Sequence, residues 1–307
     1  MTAVVQTKRL TKVLNGREVV SGVHMNVRQG EIYGFLGPNG AGKTTVMRML
    51  LNLVKPTDGR IELFGEPLQE ESVEVLKRIG SMIEYPVFYE KLTAYENLEL
   101  HGRYMGFYDP KMIRDALDLV QLTGSERKRV KDFSLGMKQR LGLARALATK
   151  PELLILDEPI NGLDPAGIRE MRMLFKTLSR EYGMTLLVSS HILGEIEQIA
   201  DTVGVISEGR LVDEVSMETI RRSLSDYIEI VTPHLQRAAF VLEHSLNVTS
   251  FKTMGDRTLR VYDSELSPSE LSKALILEGV AIEEIHKKAN TLESYFFQQI
   301  RGGREHA

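Results

Sequence analysis

The chain has 307 residues, 39 Lys and Arg against 42 Asp and Glu for a net charge of −3, and no cysteine. That length accommodates a large domain plus a small one, the charge balance gives no basic field that would make DNA or RNA the main partner, and the cysteine count excludes disulfides and Cys-based metal sites, as suits a reducing cytoplasm. Met1-Thr2-Ala3-Val4-Val5 begins no signal peptide and no apolar run approaches the roughly 18 residues of a membrane helix, so a soluble chain is expected, with any membrane work done through a partner.

Alternating segments over residues 3–27 and 60–64 predict antiparallel strands. Between them Ile32-Tyr33-Gly34-Phe35-Leu36 predicts a strand and residues 45–53 a helix. The stretch that joins them, Gly37-Pro38-Asn39-Gly40-Ala41-Gly42-Lys43-Thr44, fits the phosphate-loop pattern G-x-x-x-x-G-K-[ST] in its strand–loop–helix setting. Glycines let successive backbone N–H groups turn inward around a β-phosphate, and the helix N-terminus adds a favourable dipole. Lys43 is expected to reach the β- and γ-phosphates and the Thr44 hydroxyl to ligate Mg²⁺, with Thr45 among the nucleotide contacts. Further on, an apolar strand ends at Glu84 and the turn-forming Pro86. Residues 86–147 read as mainly helical, with periodic apolar positions over 95–105 and 111–122. Phe88, Tyr89, Tyr95, Tyr104, Phe107 and Tyr108 gather there, as helical core or as a docking surface for a membrane partner near Glu84.

Leu153-Leu154-Ile155-Leu156-Asp157-Glu158-Pro159 is a buried-strand pattern ending in two carboxylates. Phosphoryl transfer needs a carboxylate near Mg²⁺ and a group that orients the attacking water. Asp157 suits the first role, through a metal-bound water, and Glu158 the second, as general base. Asp164-Pro165 opens a helix reaching about residue 182. Residues 184–189 and 203–206 predict strands that complete a mostly parallel sheet, His191 follows the first of them, and Glu208-Gly209-Arg210 reads as a hairpin turn. After about Ser223 the order is strand 227–231, helix 233–245, strands 248–253 and 258–262, helix 267–279, strand 281–285 and helix 291–300. That order, β-α-β-β-α-β plus a last helix, predicts a ferredoxin-like split βαβ fold. His101 and the other scattered histidines show no metal-ligand spacing.

Phe133-Ser134-Leu135-Gly136-Met137, followed by Arg140-Leu141-Gly142-Leu143-Ala144-Arg145-Ala146-Leu147, resembles the LSGGQ signature and the R-x-x-x-A-R-A-L helix of the ABC ATPases. Phosphate loop, signature, paired carboxylates and a lone histidine stand in that family's order. Gly162-Leu163-Asp164-Pro165 looks like its D-loop, and His191 like its switch histidine. The resemblance implies an α/β fold: a P-loop ABC domain over residues 1–223, with a RecA-like core, an antiparallel β subdomain and a helical subdomain at about 86–147. Residues 224–307 would form a small α+β accessory domain. It also implies ATP and Mg²⁺ as ligands, with Ser134 and Gly136 of one chain binding the γ-phosphate held by another, and Asp164 near the nucleotide. Two copies would then meet head to tail around two ATP.

The departures from that pattern are informative. Leu135 and Met137 replace a glycine and a glutamine of the signature. Glu84 stands where the family usually has glutamine, as is typical of bacitracin-type and lantibiotic-immunity exporters, and could approach the metal or the attacking water. Leu14 stands where an aromatic ring usually stacks on adenine. Thr291-Leu292-Glu293-Ser294-Tyr295-Phe296 resembles the LE-x-x-F element of drug-exporter ATPases. The resemblance implies an ATPase subunit, peripheral on the cytoplasmic face of the cell membrane, that drives a separate permease exporting peptide antibiotics or similar amphiphilic drugs. The alternative is a non-transport ABC ATPase acting on nucleic acid or ribosomes, which would usually carry coiled coils or two fused ATPase domains.

Overall fold

The computed structural model describes residues 2–106, 109–223, 227–263 and 266–288. Phe107, Tyr108 and the helix expected over 291–300, with its LE-x-x-F element, lie outside the described residues. The chain folds as two units, the first ending at Met217 and the second beginning at Glu218, ahead of the break expected at Ser223.

In the first unit β1 (Ala3–Leu14) and β2 (Arg17–Arg28) form an antiparallel hairpin, and β3 (Ile32–Leu36) runs through the phosphate loop into α1 (Lys43–Leu50). β4 (Asp58–Leu63), β5 (Glu66–Pro67), α2 (Val73–Lys77) and β6 (Ile79–Met82) follow, then α3 (Ala94–Tyr104), α4 (Pro110–Leu119) and α5 (Leu135–Leu147). β7 (Leu153–Leu156), α6 (Pro165–Arg180), β8 (Thr185–Ser190), α7 (Leu193–Ile199), β9 (Thr202–Ser207) and β10 (Arg210–Ser216) complete the first unit, and α8 (Met217–Ser223) opens the second from Glu218 on.

An antiparallel sheet of order β2-β1-β4-β5 accompanies a sheet of order β10-β9-β3-β8-β7-β6, in which only β10 runs antiparallel. β3, β7 and β8 are buried at every position, which is why they read as continuous apolar runs rather than alternating ones. Helix α1 has eight residues and no side-chain cap, too short to hold by itself. Packing fixes it: Val46, Met47 and Leu50 share one core with Val5 and Val23 of the antiparallel sheet and Phe35 and Ile155 of the parallel one. Each such side chain contributes roughly 1.5–3 kcal/mol on full burial. The phosphate loop is therefore anchored from both sides.

The helical segment is defined by its caps. A capping box of Thr93 and Glu96 starts α3, Asp109 with Pro110 starts α4, and Ser134 starts α5.

The second unit holds β11 (Tyr227–Val231), α9 (Leu235–His244), β12 (Phe251–Met254), β13 (Thr258–Val261), α10 (Pro268–Leu277) and β14 (Glu284–Lys288). Its sheet has the order β12-β13-β11-β14, all neighbours antiparallel, which is the ferredoxin-like arrangement. Ile228, Ile230, Leu259 and Val261 face Ala238, Val241, Leu271 and Leu275 of the two helices in a single core. Two strands lie off their expected places. Val248 is spent closing α9, its N–H donating to the Leu242 carbonyl, so β12 begins only at Phe251. β14 starts at Glu284 and runs on into Lys287 and Lys288, because Val231 pairs with Glu284 and Tyr227 with Lys288.

Candidate active site

The phosphate loop sits at the C-terminal end of β3, inside a parallel sheet, the place where such folds bind ligands. Its glycines are required sterically. A Cβ on Gly37 would lie 2.3 Å from the Ile206 carbonyl oxygen, and one on Gly42, whose φ is +107°, would lie 2.9 Å from the Val19 carbonyl oxygen. The loop backbone is thus pressed against β9 and β2, leaving no room for a side chain there. Pro38 accepts from the Ala41 N–H at 3.2 Å, and the Ala41 carbonyl accepts from Gly209 at 3.0 Å. Because α1 lacks a side-chain cap, its first N–H groups are available to an anion. Asn39 and Gly40 form the exposed tip of the loop and Thr45 is the third residue of the helix.

The charged residues form one connected chain. Lys43, 6% exposed, donates from Nζ to the Gly37 carbonyl at 2.6 Å and to the Pro38 carbonyl at 3.3 Å, and lies 3.2 Å from Glu158 Oε1. Glu158 Oε2 lies 2.8 Å from His191 Nδ1. The Thr44 hydroxyl donates to Asp157 Oδ2 at 2.7 Å, and the Ser189 hydroxyl donates to Asp157 Oδ1 at 2.6 Å while accepting from the Glu158 N–H at 2.9 Å. Strand register explains the clustering. β7 and β8 pair in parallel with Leu156 opposite Val188, so Asp157 emerges beside Ser189. β6 and β7 pair with Met82 opposite Leu156, so Glu84 and Glu158 each follow two residues beyond a matched pair and stand abreast. Both take left-handed backbone, φ +59° and +49°, a conformation that costs a non-glycine residue about 1–3 kcal/mol and gathers at functional sites.

These groups line a cleft of about 200 Å³ that holds Thr44, Glu84, Tyr85, Gln139, Asp157, Glu158 and Asn161. The Glu84 side chain is 62% exposed and ion-paired with Arg48 in the last turn of α1. Ser134, Gly136 and Asp164 do not line this cleft. Ser134 accepts from the Met137 N–H at 3.2 Å and Asp164 from the Gly167 N–H at 2.9 Å, each capping its own helix. The two loops meet: a Cβ on Gly162 would lie 3.0 Å from the Leu135 side chain, which is itself exposed. Leu14, at the end of β1, is also exposed. A larger cavity of about 1030 Å³ lies at the opposite ends of the strands, beside Arg78, Glu152 and Met184, and contains none of the phosphate-loop residues.

Sequence reasoning missed Ser189, Gln139, Asn161 and Arg48. Ser189 is a polar end to an apolar strand, and only the β7–β8 adjacency ties it to Asp157. Gln139 is a 2% exposed amide on a helix whose other buried positions are apolar or glycine, and only the packing of that helix shows it. A half-buried carboxylate flanked by a lysine and a histidine, beside a hydroxyl–carboxylate pair under a glycine loop, is equipped to bind a phosphate chain and take a proton from water.

A family model described as "ABC transporter" matches residues 20–161. The chain is 60% identical over 302 residues to an ABC transporter ATP-binding protein of Bacillus subtilis (strain 168), YcbN, covering 98% of each. It is 44% identical over 303 residues to the bacitracin transport ATP-binding protein BcrA of Bacillus licheniformis, covering 99% of each. Among solved structures, the dimeric ATP-binding cassette MJ0796 in a post-hydrolysis state bound to ADP and Pi is similar at a TM-score of 0.61 and 26% identity, over 69% of this chain and 98% of that one. Nothing in these likenesses favours a protein that acts on nucleic acid or ribosomes.

Proposed function

The chain belongs to the ATP-binding proteins of ABC transporters, a nucleotide-binding ATPase family, and we propose that it energises the export of bacitracin-like peptide antibiotics through a separate membrane permease. It works as a pair of identical subunits docked on the cytoplasmic face of the membrane. The full-length likeness to a bacitracin transport ATP-binding protein carries this reading. The chemistry follows from the cleft. The triphosphate draws Lys43 away from the Gly37 and Pro38 carbonyls and from Glu158, exchanging two carbonyls and a carboxylate for phosphate oxygens. Glu158 is thereby freed on one oxygen and remains oriented by His191 on the other. Glu158 then takes a proton from the attacking water as general base.

Thr44 and Asp157 would hold Mg²⁺. They are hard oxygen donors already 2.7 Å apart, and among the described residues no cluster of three His, Cys, Asp or Glu could hold a metal alone, so the ion would share the substrate's phosphates. Bound there, it would neutralise charge on the β- and γ-phosphates. Ser134 and Gly136 open α5 outside their own cleft, so the γ-phosphate they bind belongs to the second copy, with Asp164 at the same junction. Glu84, now paired with Arg48, would turn to the metal or the attacking water.

Deleting the gene should lower bacitracin tolerance of the host. Wild-type protein should restore it and Glu158→Gln should not. Tolerance to bacitracin and to lantibiotics that does not change on deletion would refute the export reading.

A further inference from the structure

Two acceptor oxygens of residues that line the same cleft are themselves buried and have no hydrogen bond from any described residue: Glu158 Oε1 and Gln139 Oε1. Glu158 Oε1 keeps an ion pair with Lys43 at 3.2 Å, without hydrogen-bond alignment. Gln139 Oε1 has no hydrogen-bond partner among the described residues, although the residue is 2% exposed. A buried carbonyl left without a donor loses its hydration for no compensating bond, and such groups are rare in native proteins. A structural role does not account for it, since an apolar side chain would fill the same position of α5 without that cost. The signature helix therefore places an unpaired, buried acceptor among the residues of the cleft wall, for a donor that arrives later.

From this we infer that Gln139 is a second acceptor for the attacking water, which gives one O–H to Glu158 and the other to Gln139. The inference rests on the reading of Glu158 as general base. A water has two protons to donate, and two acceptors fix its plane and aim its lone pair; Glu158 alone leaves it free to turn. The site becomes usable when phosphate draws Lys43 from Glu158 Oε1. The water oxygen bonds to the γ-phosphorus. The bond from that phosphorus to the β–γ bridging oxygen breaks, its electron pair leaving on ADP. One water proton passes to Glu158, and the other stays on the product phosphate, hydrogen-bonded to Gln139. Gln139 lies on the helix that begins at the signature Ser134, so movement of that helix would reach the water directly.

The test uses the full chain with Gln139→Met, which keeps the length and removes the acceptor, Gln139→Asn, which keeps a shortened amide, and Glu158→Gln as reference. For Gln139→Met, kcat for ATP should fall at least tenfold, about what loss of one positioned contact costs, with KM and nucleotide affinity within about twofold of wild type. The thermal midpoint should hold or rise, because an orphaned carbonyl is gone. Gln139→Asn should keep more turnover than Gln139→Met. A crystal structure of Glu158→Gln with ATP should show an ordered water within hydrogen-bond distance of Gln139 Oε1 and residue 158. Gln139→Met with wild-type kcat, or a lowered midpoint with kcat and KM unchanged relative to one another, would overturn the assignment. So would a Gln139 carbonyl bonded to a protein donor in the ATP-bound structure. If Glu158→Gln itself turned over normally, the general-base reading would fail instead, and the two failures are thus separable.

Discussion

Each unit holds a carboxylate between two basic side chains, and the two are built to different ends. Glu229 sits mid-strand in β11, takes a hydrogen bond from Arg260 at 3.0 Å and one from Lys288 at 2.5 Å, and is 13% exposed. Arg260 also lies 4.7 Å from the Tyr227 ring centre. Every partner there comes from a neighbouring strand of one sheet. Burial alone would raise the Glu229 carboxyl, but the bonds from Lys288 and Arg260 outweigh it and hold the group below the usual range. Glu158 is similarly enclosed, but it stands in left-handed backbone past a strand end, and Lys43 reaches it from the start of α1 and His191 from the loop after β8. A carboxylate locked by ladder neighbours stabilises a sheet. One that itself lines a cleft and is held from outside its own sheet ladder can exchange partners, which catalysis requires.

Removing one cation from each carboxylate should separate the two most widely. Lys43→Ala should weaken ATP binding by roughly 10–100-fold, the scale of one charge-assisted hydrogen bond, whereas Lys288→Ala should leave ATP affinity unchanged by titration calorimetry. Equal affinities in both variants would erase the distinction. Glu84→Ala comes next: turnover should fall by roughly tenfold if the carboxylate leaves Arg48 for the cleft, and not at all if it is a surface ion pair, since exposed pairs contribute about 0–1 kcal/mol. Steady-state phosphate release decides. Leu14→Tyr should tighten ATP by about 0.5–1.5 kcal/mol through a ring stack on adenine, and wild-type protein should bind GTP within about tenfold of ATP. A strong ATP preference untouched by Leu14→Tyr, in competition binding, would place the base elsewhere.

The smallest effect belongs to Glu229. Its folded pKa is depressed, so it contributes stability above its unfolded value near 4.5 that is lost as pH falls through the lower folded value. Glu229→Gln should therefore cost on the order of 1 kcal/mol at pH 7. The gap to wild type should close as urea titrations are taken below the unfolded pKa, and a gap that does not depend on pH would deny the pairing.

The same contrast marks what was legible in the sequence. β3 and β7 were plain, because strands buried on both faces leave unbroken apolar runs, and the phosphate loop stands between them as a contiguous string. Lys43, Thr44, Asp157, Glu158 and His191 all meet in the structure for that reason. Ser189 and Gln139 could not be assigned, since their meaning lies in which strand or helix adjoins which. In the second unit the order of elements was readable but not the edges. Glu284, His286 and Lys288 alternate with Ile285 and Lys287 in β14, and a strand edge made of charges looks like a loop until Tyr227 is seen opposite Lys288. Val248 has the opposite history, apolar enough for a strand but used to cover the end of α9.

The most direct test of the account is Glu158→Gln run on gel filtration with and without MgATP, beside a phosphate-release assay. The amide cannot accept the water's proton, so hydrolysis should fall by about 10²–10⁴-fold. ATP should stay bound between two copies, and the protein should elute as a dimer with MgATP and as a monomer without it. A Glu158→Gln protein that releases phosphate at the wild-type rate and shows no ATP-dependent change in size would contradict it.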